Sequence, residues 1–261
     1  MYDHFKVTGK KVIVSGGARG IGGTVARHLV AGGAHVAVFD ILDEPGQAHV
    51  AKLNEQGPGK ALYFHVDTSK REEVFAAVAK AVDALGGLDS LHNIAGIDLP
   101  VPIADITEAD VDLTFNVNFK GSLWLAQAAV PFLQASGGGT ILNTGSDSAL
   151  FPFPDSSHYS ASKGAIHSLN RSKSTAWAKY NIRVNAVIPA AKTDMYYEAM
   201  ALKTPEERAA TLAWQKASIP LGGELGQADD VAPTWVFLTS DAAKFITGQL
   251  ISVNGGLSTV R

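Results

Sequence analysis

The chain of 261 residues sets 22 Lys and Arg against 25 Asp and Glu, with 26 glycines and no cysteine. Without cysteine there is no disulfide, thiolate nucleophile, iron–sulfur cluster or Cys-ligated zinc. The formal net charge of −3 gives no electrostatic reason to expect nucleic acid or an anionic membrane as partner. Met1 to Lys11 is polar and charged, and nowhere do 18 apolar residues run uninterrupted. A cytoplasmic protein with no membrane segment is therefore expected.

Short apolar runs alternate with amphipathic stretches along the whole chain. Strands are predicted at Val12–Ser15, His35–Phe39, Leu62–Val66, Ser90–Ile94, Thr140–Thr144, Arg183–Ile188 and Leu250–Val253. Helices are predicted at Ile21–Ala31, Arg71–Leu85, Val117–Gln134 and Tyr159–Tyr180. Nearly continuous apolar strands separated by helices define an α/β fold: one doubly wound parallel sheet of about seven strands, covered on both faces. No linker divides the chain, so residues 1–261 are expected to form a single domain. Residues 193–223 break the alternation. Met195, Tyr196, Tyr197, Met200 and Trp214 stand there among charges, which predicts a helical flap over a substrate.

The first strand runs into Ser15-Gly16-Gly17-Ala18-Arg19-Gly20-Ile21-Gly22 and then a helix. Glycines at 16, 20 and 22 allow a tight turn, close approach of a pyrophosphate and close helix–strand packing. Free N–H groups and the positive end of the helix dipole then meet the phosphates. Asp40 ends the second strand 18 residues after Gly22. Its carboxylate can accept from the adenosine ribose hydroxyls and would repel a 2′-phosphate, which favours NAD. Arg19 can receive that phosphate instead, so NADP stays open as the second choice.

Tyr159-Ser160-Ala161-Ser162-Lys163 places a phenol and an ammonium on one helix face. A Lys cation beside the phenol, with the positive nicotinamide ring, would lower its pKa toward the range useful for proton transfer. Together with Ser15–Gly22, His65-Val66-Asp67, Asn93-Ile94-Ala95-Gly96, Asn116-Val117-Asn118, Ser146, Arg183–Pro189, Phe245–Gln249 and Val253–Gly256, this order resembles the short-chain dehydrogenase/reductase family over essentially the whole chain.

The resemblance implies a Rossmann-like NAD(P)-binding domain, an alcohol or ketone as small-molecule substrate, and a homotetramer pairing through the Val117–Gln134 and Tyr159–Tyr180 helices. It implies that Tyr159 is the general acid/base, Lys163 its partner on the nicotinamide ribose, Ser146 the substrate-oxygen ligand and Asn118 the holder of a relay water. Cofactor contacts are implied at Ser15, Gly16, Arg19, Gly20, Ile21, Gly22, Asp40, Asp67, Thr68, Asn93, Ala95, Gly96, Tyr159, Lys163, Pro189 and Thr193. Plainer roles compete: Ser146 as a strand-end serine, Asn118 as a buried polar residue, Asp67 as a helix cap. Ile94 stands where the family commonly has a second Asn, and Ala190 where Gly is usual, with Thr193 about one residue early.

Eight histidines show no metal-ligand spacing, so no metal is expected. His158 reads as a helix-end residue, Asp147 as a strand terminator, and Leu150–Pro154 as an apolar wall of the cleft. Asn170-Arg171-Ser172 matches a glycosylation acceptor by chance. The function expected is hydride transfer between NAD(H) and a mainly apolar or cyclic secondary alcohol or ketone. The alternatives are an NADP(H)-dependent carbonyl or 3-oxoacyl reductase, an epimerase or dehydratase, and a non-catalytic dinucleotide-binding protein.

Overall fold

The computed structural model describes residues 3–259. Its centre is a parallel sheet of seven strands in the order β3-β2-β1-β4-β5-β6-β9. These are β1 Lys11–Ser15, β2 His35–Asp40, β3 Lys60–His65, β4 Ser90–Asn93, β5 Gly139–Thr144, β6 Ile182–Pro189 and β9 Leu250–Val253. All seven predicted strands form, with ends moved by one or two residues. The two-residue strands β7, Ala191–Lys192, and β8, Gly226–Gln227, pair beside it.

Helices α1 Gly20–Ala31, α2 Asp43–Gln56 and α9 Ala228–Thr239 cover one face, and α3 Arg71–Leu85 and α5 Ser122–Ala135 the other. Val12 and Val14 point into the first core with Leu29 and Trp235, while Ile13 points into the second with Leu91 and Leu133. This is the period-2 alternation of a strand buried on both sides. Each such side chain contributes ~1.5–3 kcal/mol on burial. Helix α2 escaped prediction because it buries only Gly46, Val50 and Leu53, too few apolar positions to mark a face.

Two further departures, and the fold of the 193–223 segment, matter for function. Residues Phe115–Gly121, which overlap the start of the helix predicted from Val117, wind as a π-helix between α4, Glu108–Thr114, and α5. Such bulges are frequent at functional sites. Helix α6 spans Ser157–Trp177, starting earlier and ending sooner than its apolar pattern suggested. The 193–223 segment folds as α7, Asp194–Leu202, and α8, Pro205–Ser218, each opened by a threonine cap: Thr193 for α7 and Thr204 for α8.

The strand order reverses between β1 and β4, the point where open α/β sheets bind ligands beyond their carboxyl ends. The predicted site residues after β1, β2, β4, β5 and β6 all emerge at that edge.

Candidate active site

The turn after β1 is built by contacts that only glycine permits. Gly16 has φ +67°, and a Cβ there would lie 2.8 Å from the Ala95 backbone. A Cβ on Gly22 would lie 2.1 Å from the Gly16 carbonyl oxygen, so α1 sits directly on the turn. Arg19 occupies the N-cap of α1 without a side-chain cap bond, which leaves the amides of Gly20, Ile21 and Gly22 uncapped by any side chain. These features fit a pyrophosphate. Ser15 is fully buried; its hydroxyl donates to His92 O and accepts from Ile94 and Ala95 N–H, so it braces β1 against the β4 turn.

Asp40 lies above the turn, accepting from Ala18 N–H at 3.0 Å and Leu42 N–H at 3.1 Å. Arg19, expected beside the ribose, pairs with Glu198 of α7 at 2.5 Å. Asp67 does not cap α3, whose N-cap is Lys70. Instead Asp67 receives Ser69 N–H and Oγ–H, with Lys70 at 3.2 Å. Burial raises its carboxyl, but the bonds from Ser69 and Lys70 outweigh that and hold it below the usual carboxylate range. Thr68 is buried and faces Gly121 of the π-helix. Asn93 donates its amide to Asn143 Oδ1 and Ser122 O rather than opening outward. Asn170 is fully buried and bonded to Asn143 and Gln249, so the glycosylation match presents no exposed amide.

Gly96, Asn118 and Lys163 converge: a Cβ on Gly96 would lie 3.2 Å from Asn118 Oδ1 and 3.4 Å from Lys163 Nζ. Asn118 donates to Ile97 O and Ser162 Oγ and accepts from Ile97 N–H at 2.9 Å. Both amide hydrogens are committed, and one lone pair of Oδ1 stays available for a water. Lys163 donates to Thr144 O at 3.0 Å and lies 5.6 Å from the Tyr159 ring centre. Burial lowers Lys163 to about 8.

Tyr159 departs from the expected lowering. Burial pushes its phenol up to about 12; a hydrogen bond with Ser146 lowers it, and Asp98 and Asp147 raise it. Asp98→Asn should therefore move the pH profile of alcohol oxidation to lower pH, because removing a carboxylate stabilises the phenolate. An unmoved or upward-shifted profile contradicts that sign.

Ser146 is set by two residues that no sequence motif marked. Ser148 donates its N–H and Oγ–H to Ser146 Oγ at 3.1 and 2.9 Å, filling both lone pairs. The Ser146 hydrogen is then left to donate. His167 Nε2 accepts the Ser146 N–H at 3.3 Å. Burial, with Lys163 and Arg171 nearby, lowers His167 to about 4, so the ring is neutral and able to accept. His167→Leu leaves that N–H without an acceptor, and kcat/KM should fall about tenfold on a ~1–3 kcal/mol penalty. His167→Gln should recover part of the loss in the same assay.

A cavity of about 330 Å³ opens on Ser146 and Tyr159. Phe153, Tyr196 and Trp214 line it, and Phe153 meets Trp214 edge-on. Met195, Tyr197 and Phe151, expected there, are exposed elsewhere. Polar residues replace them: Asp98, Asp147, Ser148, Ser156 and Gln215. Asp147 is no mere strand terminator, since Asn254 and Ser258 bind its carboxylate and burial raises its pKa. His158 is 5% exposed with neither ring nitrogen bonded, so it is more deeply enclosed than a helix-end residue. After β6 the backbone passes Pro189, a cavity wall, into β7; the Thr193 hydroxyl accepts from Tyr196 N–H, and Thr193 Cβ lies 3.8 Å from where a Gly20 Cβ would stand.

A glycine turn at the switch point of a parallel sheet and a Tyr–Lys–Ser cluster beside it define an α/β dinucleotide-binding oxidoreductase. The chain belongs to the short-chain dehydrogenase/reductase family: residues 16–258 match the family model described as enoyl-(acyl carrier protein) reductase. It is 35% identical over 257 residues to 2,5-dichloro-2,5-cyclohexadiene-1,4-diol dehydrogenase of Sphingobium indicum, covering 97% of this chain and 99% of that one. It is 34% identical to an NAD-dependent glycerol dehydrogenase of Listeria innocua, covering 97% and 95%. The structure of 7α-hydroxysteroid dehydrogenase complexed with NADH and 7-oxo glycochenodeoxycholic acid superposes with TM-score 0.90 at 31% identity, covering 98% and 97%. No helix among the described residues is long and apolar enough to cross a membrane.

Proposed function

We propose that the protein transfers hydride between NAD(H) and a secondary alcohol or its ketone, with a cyclic compound as substrate. The observation that carries this reading is the convergence of Tyr159 and Ser146 on one cavity, with Lys163 and Asn118 behind them and the glycine turn alongside. The chemistry named for the steroid and cyclohexadiene relatives supports a cyclic substrate.

The amides of Gly20, Ile21 and Gly22 would hold the pyrophosphate, Asp40 the adenosine ribose, and Lys163 the nicotinamide ribose. When bound, NAD supplies the hydride acceptor in oxidation and the donor in reduction. Ser146 donates its O–H to the substrate oxygen, a bond that strengthens as that oxygen gains charge. Tyr159 takes the hydroxyl proton in oxidation and returns it in reduction. Lys163 opposes the phenolate charge, and Asn118 keeps one lone pair for a water that links Lys163 to solvent. Holding the carbinol carbon in place contributes through orientation.

NAD is preferred to NADP on two grounds. Asp40 sets a carboxylate over the turn, and Glu198 neutralises Arg19, the cation that would otherwise receive a 2′-phosphate. A panel of cyclic alcohols and ketones, each with NAD(H) and NADP(H) and followed by nicotinamide absorbance, tests the whole reading. Strong preference for NADPH overturns the cofactor assignment. Product without net cofactor change overturns the reaction class.

A further inference from the structure

Helix α6 buries a second lysine that the proposed chemistry does not use. Lys173 is 4% exposed, on the same stripe of the helix as Lys163, Ile166 and Asn170. Its Nζ makes a single hydrogen bond, to Ser122 O at 3.2 Å. Among the described residues no carboxylate pairs with it, and burial alone lowers it to about 7. A methionine would fill that space without dehydrating a charge. The amine therefore differs from an apolar side chain there in one respect, the carbonyl it holds.

That carbonyl stands at the end of the π-helix. Ser122 is the residue at which Phe115–Gly121 gives way to α5. Asn93 Nδ2 donates to the same oxygen at 3.4 Å, and the Ser122 hydroxyl donates to Asn143 Oδ1 at 3.1 Å. Asn143 in turn donates to Asn170 Oδ1 of α6 at 3.0 Å. The preceding residue is also clamped: a Cβ on Gly121 would lie 3.0 Å from Thr68 Oγ1. A π-helix is a rare winding that persists where its surroundings hold it. Asn118 lies within it, bonded to Ile97 and Ser162. Relaxation to α-helical winding changes the angle between successive side chains and would rotate Asn118 away from Gly96 and Lys163.

We propose that Lys173 is a positioning residue: by pinning Ser122 O it fixes the π-helical winding that holds Asn118 beside Lys163. This rests on the dehydrogenase reading above, in which Asn118 keeps the water that links Lys163 to solvent. Lys173 acts only through the backbone it holds.

The test uses the full chain, Lys173→Met, Asn118→Ala and the double variant, with NAD and a cyclic alcohol that the parent oxidises. The rate of NADH formation in a single turnover reads the chemical step, NADH titration reads the cofactor site, and thermal unfolding reads stability. Lys173→Met should lower the single-turnover rate about tenfold and leave NADH affinity within about twofold of the parent. Its melting temperature should rise by about 2–4 °C, because the unpaired buried ammonium is gone. In the Asn118→Ala background the same substitution should change the rate by less than about twofold, since the group it positions is already absent. A variant both slower and more stable is a result that a merely structural lysine does not give.

A parent-like single-turnover rate in Lys173→Met overturns the proposal. So does the same loss repeated in the Asn118→Ala background, which places the effect elsewhere. A lower melting temperature or lost NADH binding assigns the amine to the fold alone and overturns it as well. In each of these cases the dehydrogenase reading stands. A parent protein that oxidises no cyclic alcohol and reduces no cyclic ketone with either cofactor overturns that reading, and the role of Lys173 falls with it.

Discussion

Tyr159→Phe should lower kcat by at least about a thousandfold while NADH binds as it does to the parent protein. The phenol lines the cavity beside Ser146 and shares a hydrogen bond with it. Its loss removes the proton donor and acceptor together. The ring itself stays, so the neighbouring Lys163 bond to Thr144 O is undisturbed. Retention of more than a tenth of the parent turnover would refute the role given to the phenol. Matching NADH titrations separate that outcome from misfolding.

Gly22→Ala should weaken NADH binding about ten- to a hundredfold. The added methyl would stand 2.1 Å from Gly16 O and 2.8 Å from Gly16 C, both backbone atoms that cannot rotate aside. Gly16 in turn is pinned against Ala95, so relief requires the turn to open. Overpacking of this kind costs ~1–3 kcal/mol, and about 1.4 kcal/mol is tenfold in affinity. Gly164→Ala is the control: a Cβ at that helical position meets nothing within 4 Å, and alanine is favoured in a helix by ~0.5–1 kcal/mol. If both variants bind NADH like the parent, the turn is not the phosphate cradle.

Much of the fold was legible because its signals are local. Runs such as Val12–Val14 and Ala186–Pro189 are apolar within their strands, and Tyr159 and Lys163 share a helix face through spacing alone. The π-helix at Phe115–Gly121 was not legible, since its apolar pattern reads as an ordinary helix. Helix α2 was missed because three buried residues do not make a periodic face.

The candidate site divides in the same way. Its family roles could be placed on Ser146, Tyr159, Lys163 and Asn118 from ordered motifs. The residues that set Ser146 could not, because Ser148 and His167 act through hydrogen bonds that no motif encodes. The direction of the Tyr159 shift was read from Lys163 and the nicotinamide ring, whereas burial, against a lowering hydrogen bond with Ser146, raises it in the folded chain.

By itself the sequence determined the parallel α/β sheet, the glycine turn at its switch point and the placing of Tyr159 and Lys163 on one helix face. These follow from short-range rules of periodicity, sterics and helical spacing. Only the tertiary structure decided that Arg19 pairs with Glu198, 179 positions away, and that Ser258 reaches Asp147 across 111. It also decided that Gln215 is buried against the cavity rather than solvated on a helix surface. Burial and partnership are properties of distant segments packed together, and they set whether a side chain is a cap, a brace or a substrate contact.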